Sequence, residues 1–262
     1  GILVDTLLQA DPNLAGGIIM GGGHVATYNP KLKKYGRKKS IFIGVGREDG
    51  NYIFSLRSLF FHRKLGATAV FNEWPNVQHA YPKHEIPALT QWLEIELLGK
   101  DKVLPQAKQE IEELYAEVTQ LDPMEQWQAL LAMRDMPYVK LLGKDWQDKV
   151  KGKIVAISKD ASVVKEATDY RKHRFLLAKE AKAKTLDDLI KIFRGYEALV
   201  KTYGSTNQIK LAAVDKNRVA TMINATQKAS ADRKKQKKEE TDPFAPEQPE
   251  NKRRVPVNPL IR

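Results

Sequence analysis

The first hundred residues alternate between two kinds of hydrophobic pattern. ILVDTLLQA (2–10) spaces its apolar residues as an amphipathic helix does, and Asp11-Pro12-Asn13 stops it. LAGGIIMGGG (14–23) contains an unbroken apolar run. Gly17 to Met20 therefore predicts a buried strand running into glycines that free the backbone to turn. After a basic loop to Lys39, SIFIGVG (40–46) predicts a second buried strand, followed by the turn-like Arg47-Glu48-Asp49-Gly50-Asn51. Phe54, Leu56, Leu59, Phe60 and Leu65 fit a helix ended by Gly66. ATAVFNEW (67–74) predicts a third strand. Ile86, Leu89, Trp92, Leu93 and Leu97 then repeat at helical spacing up to Gly99. Strand, helix, strand and helix in alternation predict an α/β fold, a parallel sheet covered by helices.

Beyond residue 100 the period becomes helical throughout. Helices are expected at 102–120, 123–134, 160–184, 185–203 and 207–226, with Thr185-Leu186-Asp187-Asp188 as a capped start. GKIVAIS (152–158) reads as a short strand or a loop. The last 36 residues are charged and proline-rich without a period, and predict a disordered tail. The expected organisation is thus an α/β part over 1–99, a mostly α-helical domain over 100–226 and a tail over 227–262.

Composition narrows the chemistry. There is no cysteine, which removes disulfides, thiolate zinc sites and a cysteine nucleophile. No run approaches the roughly 20 apolar residues of a membrane span, so no transmembrane segment is expected. The net charge of +12 suggests nucleic acid, but 1–100, 101–226 and 227–262 each carry +4, and a nucleic-acid footprint is concentrated rather than even. KLKKYGRKK (31–39) and RKKQKK (233–238) are the two basic runs. They read first as a solvated loop and a solvated tail, and only second as weak contacts for an acidic polymer.

Ligands of parallel sheets gather outside the carboxyl ends of the strands. Asp49 follows the second strand and His79 the third. Paired there, the carboxylate would accept from Nδ1–H and leave Nε2 free to take a proton from a nucleophile. Each residue also reads as an ordinary turn residue. His84, five residues beyond His79, gives a metal reading little support, since Pro82 intervenes. GGGH (21–24) lacks the Lys-Ser/Thr of a phosphate loop. His62 reads as part of a solvated helix face, and Trp74, Tyr81 and Trp92 as core or rim packing.

IFIGVGREDGNY, FSLRSLFFHRKLG and ATAVFNEWPNVQHAYP, in that order, resemble the last third of a bacterial α/β-hydrolase of the serine esterase and prolyl-oligopeptidase-like group. GILVDTLLQADPNLAGGIIMGGG resembles the helix after that family's nucleophile elbow and the strand that follows. The resemblance covers residues 1–99. It implies Asp49 as the acid and His79 as the general base of a catalytic triad acting on an ester or peptide substrate, with no metal or organic cofactor. It also implies a nucleophilic serine upstream of Gly1, since no Gly-x-Ser-x-Gly occurs in the chain. Such a chain is expected to be part of something longer, and inactive alone. ALVKTYGSTNQIKLAAVDKNRVA (198–220) resembles the helical-hairpin junction of tetratricopeptide-like tails on secreted or periplasmic bacterial proteins, which slightly favours those compartments. One unit is not an array. The competing expectation is a non-catalytic interaction protein, a degenerate hydrolase domain whose helical region binds a protein partner.

Overall fold

The computed structural model describes residues 1–22, 32, 34–82, 87–201 and 206–240, the side chains of 234–240 excepted. Ten helices and three strands follow in chain order among them: α1 (Ile2–Ala10), β1 (Gly16–Met20), β2 (Ser40–Gly46), α2 (Tyr52–Lys64), β3 (Thr68–Trp74), α3 (Pro87–Leu98), α4 (Lys100–Val118), α5 (Pro123–Asp135), α6 (Pro137–Leu141), α7 (Lys144–Ile157), α8 (Val164–Lys182), α9 (Leu186–Val200) and α10 (Asn207–Glu240). The chain divides into two compact units, with the boundary between Arg171 and Lys172, inside α8.

In the first unit the strands form a parallel sheet in the order β1-β2-β3. Gly16 lies opposite Ser40, and Ser40 opposite Thr68, so even-numbered strand residues share one face and odd-numbered ones the other. Phe42, Val70 and Trp74 face α3, where they pack with Trp92 and, at their margin, Ile18 and Met20. On the opposite face Gly17 lets Val4 and Leu8 of α1 lie close, and Phe71 meets Tyr52 of α2 edge-on. Both faces are covered, which explains why β2 reads as a continuous apolar run rather than an alternating one. Ile41, Phe42, Ile43 and Val45 are all fully buried.

The change of pattern at residue 99 predicts a boundary there, and the first unit instead continues to Arg171. The reason is packing: α3 joins the sheet to the helices after it. Gln91 donates to Glu110 of α4 and accepts from the Tyr138 amide of α6, and the Tyr138 hydroxyl bonds Glu94. Beneath them lies a core of Val103, Ala107, Ile111, Leu130, Met133, Tyr138, Val139 and Val150. GKIVAIS is helical, as the end of α7, with Ile154 and Ile157 against that core.

The second unit pairs α9 with α10. Leu189, Ile192, Tyr196 and Leu199 repeat at helical spacing and pack on Ala212 and Val219. The start of α9 has a full capping box: Thr185 Oγ1 accepts from the Asp188 amide while the Asp188 carboxylate accepts from Thr185 N. The disordered tail was expected from 227, but α10 is helical to Glu240. Beyond the apolar face that packs on α9, its Ala, Lys, Gln, Glu and Arg content favours continuation of the helix. Residues 241–262 lie outside the described residues.

Candidate functional site

Sheet geometry brings Asp49 and His79 together. Three residues past β2, the Asp49 amide bonds Gly46 O, and Asp49 Oδ1 accepts from the Asn51 amide at 2.8 Å in an Asx turn that leads into α2. The chain after β3 turns at Asn76 (φ 56°) and recrosses the end of β2. Hydrogen bonds from Arg47 N to Trp74 O and from Glu48 N to Val77 O pin it there. Gly46 permits the crossing, since a Cβ on it would stand 2.2 Å from Val77 O and 2.5 Å from Gln78 O. The loop thereby delivers His79 to Asp49.

His79 Nδ1 lies 2.9 Å from Asp49 Oδ2. The carboxylate is 2 % exposed and the imidazole 69 %. The Asp49 carboxylate can only accept, so Nδ1 is the donor of that pair, and the Asn51 side-chain nitrogen, which donates to Gly21 O at 3.2 Å, meets Nδ1 at 3.4 Å as a contact between two donors. Nδ1 therefore carries the proton shared with Asp49, and Nε2 has its lone pair free. Among the described residues Nε2 has no partner. Gly21, at φ 50°, closes the other side, where a Cβ would stand 3.3 Å from Asp49 Oδ2 and 3.4 Å from His79 Cε1.

The first turn of α1 abuts the same place. A Cβ on Gly1 would lie 2.1 Å from Gly22 Cα and 2.9 Å from Met20 O, so the helix starts against the carboxyl end of β1. Every described serine is bonded elsewhere: Ser40 to Glu96, Ser55 to Gly22 O, Ser58 to Asp5, Ser158 to Ile154 O, Ser162 to Asp160 and Ser230 to Thr226 O. None is a partner of His79. Beside the imidazole opens a cleft of about 180 Å³ lined by Met20, Gly21, Trp74, His79, Ala80 and Tyr81.

Some expectations are changed. His62 is not on a solvated face: it is fully buried, with Nε2 2.7 Å from Asp5 Oδ1 and Nδ1 2.5 Å from the Tyr35 hydroxyl. Lys39, in a basic loop that the sequence predicts to be solvated, is buried and donates to Asp11 O and Leu14 O. Trp74 and Trp92 are core residues, while Tyr81 is 61 % exposed. His24 and His84 lie outside the described residues.

A third Asp–His pair escaped the sequence reading. In the second unit, His173 Nε2 stands 2.6 Å from Asp215 Oδ2 and Nδ1 3.0 Å from Gln208 Oε1. Arg218 donates to Asp215 and, through Nε and Nη2, to both oxygens of Glu180, which also accepts from Tyr196. Its signal was the i, i+3 spacing of Asp215 and Arg218, which alone reads as a surface pair.

Among the described residues no group of three or more His, Asp or Glu is placed to hold a metal ion. No helix among them is long and apolar enough to cross a membrane. No known protein family, curated protein or solved structure matches the chain.

Proposed function

We propose that residues 1–99 are the carboxyl-terminal part of a serine-hydrolase domain of the α/β-hydrolase type, performing carboxylesterase or peptidase-like acyl hydrolysis. One observation carries the reading. Asp49 is buried and anchored, His79 is exposed, and their bond leaves Nε2 bare at the carboxyl end of a parallel sheet.

The nucleophile in this reading is a serine from the segment entering α1. Among the described residues β1 pairs only with β2, so its outer edge can accept another parallel strand. A strand added there would end beside Gly22, where α1 begins, and the right-handed crossover through α1 would lead back to β1. A serine on that turn would meet His79.

The chemistry then follows from the tautomer. The serine Oγ attacks the ester or amide carbonyl as Nε2 takes its proton. The Asp49 carboxylate stabilises the imidazolium, which passes that proton to the departing alcohol or amine. Water repeats the cycle on the acyl-enzyme, with Nε2 again the base.

In the polypeptide that includes the entering segment, His79→Ala and Asp49→Asn each lower hydrolysis of a p-nitrophenyl ester by about 10³–10⁴-fold. Full activity in either variant would refute the reading. The bonded state of every described serine also favours a second one, a non-catalytic platform. It predicts no ester hydrolysis and no labelling by a fluorophosphonate, with or without the entering segment.

A further inference from the structure

The cleft beside His79 has a composition that selects a ligand. Its floor is Met20 and the Trp74 indole, whose benzo edge lies over Gly44: a Cβ there would stand 2.4 Å from Trp74 Cζ2 and 2.9 Å from Met20 Sδ. Tyr81 forms a wall, edge-on to Trp74 with ring centroids 6.1 Å apart, and Ala80 adds only an exposed methyl to the lining. None of the six lining residues carries a permanent charge. An ionised group entering here would lose hydration without gaining a permanent counter-ion from these six residues, whereas an apolar group would be sheltered by two rings and a thioether.

We infer that this cleft is a specificity pocket for a neutral aromatic or short branched aliphatic group adjoining the scissile ester or amide bond. The substrate role rests on the hydrolase reading; the binding property does not. Size supports one ring. At about 180 Å³ the cleft, open to solvent on one side, has room for a single ring, since roughly 150 Å³ suffices for benzene in a closed apolar cavity. Position supports a group next to the reacting bond, because His79, the proton carrier, is itself part of the lining. A substrate with a carboxylate or ammonium at that place is disfavoured.

The probe is benzyl alcohol, titrated into the whole protein and followed by NMR at the Trp74 indole N–H and the His79 ring. Saturable shifts at both signals are expected. Ala80→Trp, which fills the mouth, abolishes them, and Tyr81→Ala weakens binding about tenfold. The latter removes only an exposed ring, so it keeps the test sharp if the bulky variant misfolds. In hydrolysis, isobutyl acetate should exceed ethyl acetate in kcat/KM by about tenfold, from two more buried carbons.

Absence of any shift at Trp74, or equal shifts in wild type and both variants, overturns the pocket. Asp49→Asn separates the two ideas, because it removes hydrolysis while benzyl alcohol still gives a saturable shift at the Trp74 indole N–H, which Asp49 does not hold. Binding without hydrolysis in any form of the protein would leave the pocket standing and sink the hydrolase reading. Hydrolysis sensitive to His79→Ala but indifferent to ester length and to Tyr81→Ala would do the reverse.

Discussion

An aspartate and a histidine meet in the α/β unit at Asp49–His79, and again in the helical unit at Asp215–His173. The contacts are similar, 2.9 Å and 2.6 Å. Everything around them differs. His173 is buried, and its second nitrogen faces Gln208 Oε1. His79 is exposed, and its second nitrogen faces the cleft's surroundings with no partner among the described residues. The buried Asp5–His62 pair sides with His173, because the Tyr35 hydroxyl occupies its remaining nitrogen. Pairing with a carboxylate is therefore not what marks a proton carrier. A histidine with both nitrogens satisfied is part of the packing, and one held by a single nitrogen at the end of a sheet can exchange a proton with a substrate.

The contrast is broken most directly by replacing each histidine. In the proposed hydrolase His79→Ala should lower ester hydrolysis by about 10³–10⁴-fold and leave thermal unfolding nearly unchanged, since an exposed side chain contributes little to stability. His173→Ala and His62→Ala should do the opposite. Each leaves buried acceptors or donors unmatched, at a cost of about 1–3 kcal/mol by denaturant unfolding, with no specific effect on chemistry in the folded fraction. A His79 variant that unfolds the unit, or a His62 variant that kills catalysis at full stability, would reverse the assignments.

Arg218 sharpens the comparison on the helical side. It holds Glu180 by two nitrogens and Asp215 by a third, with both carboxylates fully buried. Arg218→Met should destabilise the second unit by roughly 3–5 kcal/mol, because breaking a buried pair strands its charge. Replacing Arg218, Glu180 and Asp215 together by apolar residues should recover much of that loss. Equal loss in the single and triple variants would show that the network is specifically required rather than merely paired.

The sheet and most helices were legible because burial on two faces leaves an unbroken apolar run, and burial on one face leaves a helical period. Ser40–Gly46 and Leu186–Val200 are examples. Asp49 and His79 were legible as candidates because strand ends are recognisable and both residues follow one. The buried pairs were not. Asp5 and His62 are 57 residues apart, and His173 and Asp215 are 42 apart. Each sits in a helix where a polar residue is read as solvent-facing. His62, followed by Arg63 and Lys64, was the clearest casualty: the three are consecutive in sequence but point to different sides of α2. The cleft was equally hidden, since it needs Met20 and Trp74 from the ends of the two outer strands, on either side of β2, and Tyr81 from a loop.

The smallest effect tests whether the buried clusters are as closed as the comparison requires. Burial raises the pKa of Tyr35, Tyr138 and Tyr196, and nearby carboxylates add to it: Asp5 at Tyr35, Glu94 at Tyr138, Glu180 and Asp215 at Tyr196. In the unfolded chain a tyrosine ionises near pH ~10, while these three stay protonated in the fold. Their contribution to stability is thus complete below about pH 10 and is lost as the pH rises beyond it, because the unfolded state releases protons that the native state keeps. Of the nine tyrosines, at least these three should be missing from the phenolate absorbance of the folded protein and should appear together with unfolding. Tyr35→Phe should lower that late-appearing amplitude by one residue. If Tyr35 and Tyr196 ionised early and reversibly, water would reach the Asp5–His62 and Asp215–His173 clusters in the native state. Their histidines would then be exchangeable like His79, and exposure would no longer separate a proton carrier from a structural pair.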